Sequence, residues 1–202
     1  MLRQATPTTM ASVAPESRTS RTVRSGLRTL LRCLKRGLAV FGALVIVYWL
    51  TLEYSVVVST SMQPTLQGLD VDSGDRVITE KISYWFRQPR RWEVIMFTTP
   101  SGERRMKRVI GLPGETVRMP EPGKLSIDGN RIELPATLNV RYLRFGNLMD
   151  GKPVPCGDGY YLLGDDLKDS DDSRFNGPTP AKDVMGRAWL IVGPRARAGF
   201  VK

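Results

Sequence analysis

Arg105-Met106-Lys107-Arg108-Val109-Ile110-Gly111-Leu112-Pro113-Gly114-Glu115-Thr116-Val117-Arg118-Met119 reads as strand, turn, strand. Alternation puts Lys107, Val109 and Gly111 on one face of the first strand and Met106, Arg108 and Ile110 on the other. A lysine therefore shares a face with an apolar side chain, while Arg108 points the opposite way. The Gly-Leu-Pro-Gly segment supplies the break. Runs of the same kind recur outward in both directions: Tyr54–Ser59, Arg76–Thr79, Trp92–Thr98, Tyr160–Leu163 and Ala188–Val192, bounded by Gly, Pro and Asp. Leu125–Glu133 carries a hairpin signal at Asp128-Gly129. No long amphipathic helical pattern interrupts this series, so residues 54–202 are expected to form a mostly β, antiparallel domain.

The preceding 53 residues differ. Residues 1–36 hold eight Lys/Arg and one acid, so seven of the chain's ten net positive charges sit there. That distribution weakens a nucleic-acid reading of the body. Residues 1–26 are rich in Ser, Thr, Arg, Ala and Pro and are expected to be a disordered basic tail, with an organellar transit peptide as the alternative. Residues 37–52 carry no charge. They are slightly short for a span, which needs about 20 residues. Snorkelling Lys35 and Arg36 and the interfacial Tyr48 and Trp49 can extend them, and Leu52-Glu53-Tyr54 offers no small-residue cleavage site. The expectation is a single uncleaved transmembrane helix within 27–53, basic flank inside and the remaining chain outside.

The chain contains no histidine, which excludes a Ser-His-Asp triad and any His-based zinc site. Cys33 and Cys156 make no metal spacing, and a disulfide between them is not expected. No cofactor and no metal are expected. Any nucleophile needs a Lys, Asp or Glu base. A serine hydroxyl is activated when a neighbouring base takes its proton, and burial brings a lysine pKa toward the working range. Ser59-Thr60-Ser61-Met62-Gln63-Pro64-Thr65-Leu66 places a serine at a strand end, and Lys107 supplies an amine in an apolar strand. Taken singly, the first also fits an ordinary Ser/Thr turn and the second a basic edge strand with Arg104, Arg105 and Arg108.

Three segments in order alter that balance. Ser61–Leu66 resembles the nucleophile box of type I signal peptidases, and Lys107–Glu115 resembles their lysine box. Gly164-Asp165-Asp166-Leu167-Lys168-Asp169-Ser170-Asp171-Asp172-Ser173-Arg174 is similar to their C-terminal box. The resemblance implies a signal-peptidase type of catalytic domain following the helix. It implies Ser61 as nucleophile, Lys107 as general base, and the Ser59 hydroxyl with the Ser61 N–H as oxyanion hole. Ser170 would orient the lysine, with Asp172, Arg174 and Asp165 supporting the site. Val57, Met62, Leu66 and Met106 would line a shallow pocket for small side chains. Implied partners are secretory preproteins with signal peptides and a lipid bilayer, for a monomer that binds no nucleic acid. The implied location is a bacterial inner membrane, or an organellar one. Thr60 stands where the family usually has Gly, Val58 where Pro is common and Asp166 where Asn is usual. Thr60 is expected to narrow the approach to Ser61. A self-cleaving repressor-type Ser–Lys protease is the alternative enzyme, and a non-catalytic membrane-tethered β-domain the alternative without chemistry.

Overall fold

The computed structural model describes residues 18–121, 124–135, 138 and 151–202. The chain divides into two compact units, residues 1–47 and Tyr48–Lys202. Helix α1 runs from Arg18 to Thr51 and so begins inside the stretch expected to be disordered. Its apolar residues Val23, Leu27, Leu30, Leu31 and Leu34 recur at helical spacing, a pattern that the polar composition of the tail hides. The rest of the expected tail, 1–17, lies outside the described residues. Leu38, Phe41, Leu44 and Trp49 of α1 are all more than 60% exposed. Among the described residues no helix is long and apolar enough to cross a membrane, which the expected span requires. The charge-free run ends at Arg36, four residues or so short of the usual length.

The second unit is built on two sheets in which every pairing is antiparallel. Its strands are β1 Leu52–Val56, β2 Arg76–Glu80, β3 Val94–Thr98, β4 Arg104–Gly111, β5 Thr116–Glu121, β6 Lys124–Ile127, β7 Asn130–Ile132, β8 Val154–Pro155, β9 Gly159–Leu163, β10 Thr179–Pro180, β11 Val184–Gly193 and β12 Gly199–Phe200. The larger sheet has the order β1-β2-β11-β3-β4-β9-β10, with β12 beside β11; the smaller has the order β7-β6-β5-β8. After α1, the only α-helices among the described residues are single turns, α2 Ser83–Phe86 and α3 Ser173–Asn176.

The strand-turn-strand reading holds: β4 and β5 flank the 112–115 turn. The anticipated hairpin forms between β6 and β7, with Asp128 (φ 49°) and Gly129 (φ 83°) both left-handed, as a two-residue turn of this twist requires. Two details differ. β1 starts at Leu52 and ends at Val56, so residues 57–59 leave the sheet. β4 is interior, between β3 and β9, and is not a basic edge strand. Its Arg108 does lie opposite Lys107 in the pleat, yet it is buried and not solvated.

Packing explains both. Ile110, Val117, Tyr161, Leu163 and Leu167 form one core joining the sheets. Val57, Met62, Leu66, Val77, Val94 and Ile191 form a second, which draws residues 57–66 over the larger sheet. Burying side chains of this size is worth about 1.5–3 kcal/mol each. The segment after β1 is therefore pulled inward as a packed loop and does not continue as a strand.

Candidate active site

The loop after β1 carries Ser61, and β4 carries Lys107. Gln63 N–H donates to Thr60 O and Leu66 N–H to Met62 O, closing two successive turns around the serine. Lys107 Nζ donates to Ser61 Oγ at 2.6 Å, although the residues are 46 positions apart. Ser61 is 7% exposed and Lys107 3%. Among the described residues this is the only hydrogen bond of the Lys107 amine. Burial is the main influence on that amine, pushing its pKa down from 10.5 to about 8. Asp172 pulls it back up, Arg105 pushes down again, and Asp171 and Arg174 act in opposite senses with less weight. Ser59 Oγ sits 3.2 Å from Ser61 Oγ.

Two buried ion pairs frame this centre. Arg174 Nε donates to Asp172 Oδ1 at 2.8 Å and Nη2 to Oδ2 at 3.0 Å, with both side chains wholly buried. Asp172 also accepts from Ser170 Oγ at 2.6 Å and from Gly164 N–H at 3.0 Å, and it caps α3 through Arg174 N–H. Ser170 is thus aimed at Asp172 and makes no hydrogen bond to Lys107. The second pair was not anticipated from the sequence as a pair. Arg108 donates through Nε to Asp165 Oδ1 at 2.7 Å and through Nη2 to Oδ2 at 2.6 Å, a bidentate fork. Thr65 Oγ1 joins it, donating to Asp165 and accepting from Arg108 at 3.0 Å. The turn bearing Ser61 is thereby tied to β4 from behind.

Further ties come from the far end of the chain. Arg197 pairs with fully buried Asp75 at 2.8 Å and donates to Thr65 O at 3.0 Å, while Asp75 Oδ2 accepts from Gln67 N–H at 2.8 Å. Gly164 is a point of close approach. A Cβ there would lie 2.2 Å from Ser170 Oγ and 2.5 Å from Ser61 O. Only a residue without a side chain lets the two serine-bearing segments meet. Nothing local pointed to Arg197.

A cleft of about 560 Å³ opens in front of Ser61 and Lys107, between residues 55–59 and 103–107, with Val57, Met62, Met96 and Met106 among its walls. Leu66, expected to line it, does not. Its hydrogen bond to Met62 O turns it away from the cleft into the core, where it is fully buried. Thr60 is partly exposed and does not line the cleft either, and its φ is negative, so the glycine usual at this position is not needed. Asp166 accepts from Lys168 N–H at 3.1 Å, and its own N–H donates to Ser61 O at 3.1 Å.

Residues 30–192 match the family model for signal peptidase, peptidase S26. The chain belongs to this family. It is similar to a signal peptidase I of Leptolyngbya laminosa, 37% identical over 73% of this chain and 71% of that one. It is similar also to a probable signal peptidase I-2 of Synechocystis sp. (strain ATCC 27184 / PCC 6803 / Kazusa), 34% identical over 74% of this chain and 66% of that one. A solved signal peptidase I from Enterococcus faecalis V583 is 31% identical and covers 50% of this chain and 97% of its own, with a TM-score of 0.41. Family membership makes this member a hydrolase, a serine endopeptidase of signal peptidase I type.

Proposed function

We propose that this signal peptidase removes N-terminal signal peptides from exported preproteins after small residues, with Ser61 as nucleophile and Lys107 as general base. The observation that carries the proposal is the 2.6 Å contact between a buried lysine amine and a serine hydroxyl in a chain without histidine. With its pKa near 8, Lys107 is neutral in a useful fraction of molecules at neutral pH. The neutral amine accepts the Ser61 proton as Ser61 Oγ attacks the scissile carbonyl. The ammonium then gives the proton to the leaving amine, which yields an acyl-enzyme. A water deprotonated by Lys107 attacks the ester and frees Ser61. Ser59 Oγ and the Ser61 N–H are assigned to the developing oxyanion, a type of donor worth about 3–4 kcal/mol when removed. Asp172 and Arg174 hold the turn that positions Ser170 behind the site, and Arg108 with Asp165 holds the serine loop.

The substrate enters as an extended strand between residues 55–59 and 104–107, adding main-chain hydrogen bonds to those segments. Small side chains of the Ala-x-Ala kind fit among Val57, Met62 and Met106. The location assigned is membrane-associated, as a single-pass protein with the N-terminus inside. Support for the anchor comes from the charge-free run 37–52, its exposed apolar side chains and its basic N-terminal flank. Anchoring raises the effective concentration of membrane-borne preproteins.

Ser61→Ala and Lys107→Ala in the full chain are expected to abolish cleavage of a preprotein with an Ala-x-Ala site, while circular dichroism stays unchanged. Full activity of Lys107→Met would sink the dyad.

A further inference from the structure

β1 and β4 are not neighbours in the larger sheet; β2, β11 and β3 lie between them. Their side chains nevertheless meet at one end of the cleft, which Arg104 and Ser55, two residues beyond Glu53 on β1, both line. Glu53 of β1 forms an ion pair through Oε1 with Arg104 Nη1, at the first residue of β4. The other Glu53 oxygen accepts from Lys81 Nζ at 3.0 Å. The two halves of the bridge differ. Glu53 and Lys81 are 17% and 21% exposed, and Arg104 is 58% exposed. The carboxylate is thus a fixed post, and the guanidinium an arm held at one point on a flexible stem.

Its position along the cleft gives it a meaning. Lys107 is three residues beyond Arg104 on the same strand, an advance of about 10 Å at roughly 3.3 Å per residue. In the strand-addition reading the upstream side of a segment with its scissile carbonyl at Ser61 runs back along β1 toward Glu53, and the fourth residue before the cut then comes level with the bridge. The upstream chain must leave the cleft there, past Glu53 and Arg104. A small side chain passes with the ion pair intact, and a bulky one displaces the guanidinium.

We propose that the Glu53–Arg104 pair is a strap over the upstream end of the cleft that sets this enzyme's preference at the fourth residue before the scissile bond, favouring small over bulky side chains. This rests on the strand-addition reading of substrate binding above. The strap explains why an arginine with most of its surface in water is nonetheless held across the mouth of the site. It also assigns Glu53 and Arg104 a role in discrimination and none in bond cleavage.

The test uses the purified full chain in detergent and peptides with Ala or Phe four residues before an otherwise constant Ala-x-Ala cut. The readout is the ratio of kcat/KM for the Ala and Phe peptides. Wild type and Arg104→Lys, which keeps the cation, are expected to favour Ala. Arg104→Gln and Glu53→Gln are expected to lower the ratio about three-fold, the size of a partly exposed ion pair, through KM for the Phe peptide. A ratio equal to wild type in Arg104→Gln, an exposed position where folding is not at issue, overturns the strap. So does an equal loss for both peptides. Ser61→Ala serves as the separate control: surviving cleavage there would refute the catalytic reading and leave the strap without a substrate.

Discussion

Lys107→Met isolates the energetic cost of the base. The amine titrates at about 8 in the fold and at 10.5 when free, with burial the main cause. At pH 7 the folded protein therefore holds a buried ammonium at a cost of about 3 kcal/mol, at roughly 1.4 kcal/mol per factor of ten in the proton equilibrium. Methionine fills similar volume without charge. It forfeits the Lys107–Ser61 hydrogen bond, worth about 1 kcal/mol. The variant should thus be about 2 kcal/mol more stable than wild type at pH 7, or roughly 6 °C in Tm for a chain of this size. The sign with pH follows from proton binding. Between about 8 and 10.5 the unfolded chain retains a proton that the folded chain has released, so wild-type stability rises through that window. The advantage of the variant is full below about pH 8 and shrinks to about zero by pH 10. Thermal melts of both proteins in one nonionic detergent at pH 7 and pH 10 measure this. A variant less stable than wild type at pH 7, or an advantage undiminished at pH 10, would refute the reasoning.

Asp165→Ala leaves Arg108 buried without its carboxylate and should cost about 3–5 kcal/mol, read as a fall in Tm. Gly164→Ala forces Ser170 and the Ser61 carbonyl apart. It should lower kcat by about a hundred-fold with near-native circular dichroism, the scale of a ~1 Å misplacement; unchanged kcat would show that the contact tolerates a methyl group.

The sequence made some of this legible and hid the rest for physical reasons. β4, β5 and the Asp128-Gly129 hairpin follow from alternation and turn chemistry, which act over a few residues. Ser61 and Lys107 were found by elimination of histidine and by resemblance, since each alone fits a bland surface reading. Arg108 looked like part of a charged edge. Its burial depends on Asp165, 57 residues away, and on β4 being interior. Arg197 is 122 residues from Asp75, and no local pattern carries that pairing. The resemblance implies Leu66 as pocket lining, but the Met62–Leu66 turn rotates it into the core. Thr60, expected to narrow the approach to Ser61, is not among the residues that line the cleft. The two-residue strands β8, β10 and β12 are defined by their partners and leave no periodicity to read.

The central claim, that a buried lysine activates Ser61, is tested most directly by the pH dependence of kcat/KM for a peptide with an Ala-x-Ala cut. The expected profile is a limb of unit slope rising to an inflection near pH 8, where Lys107 loses its proton, and a plateau above it. A limb that inflects at pH 4–5, the ordinary carboxylate range, or a flat profile between pH 6 and 9 would contradict it.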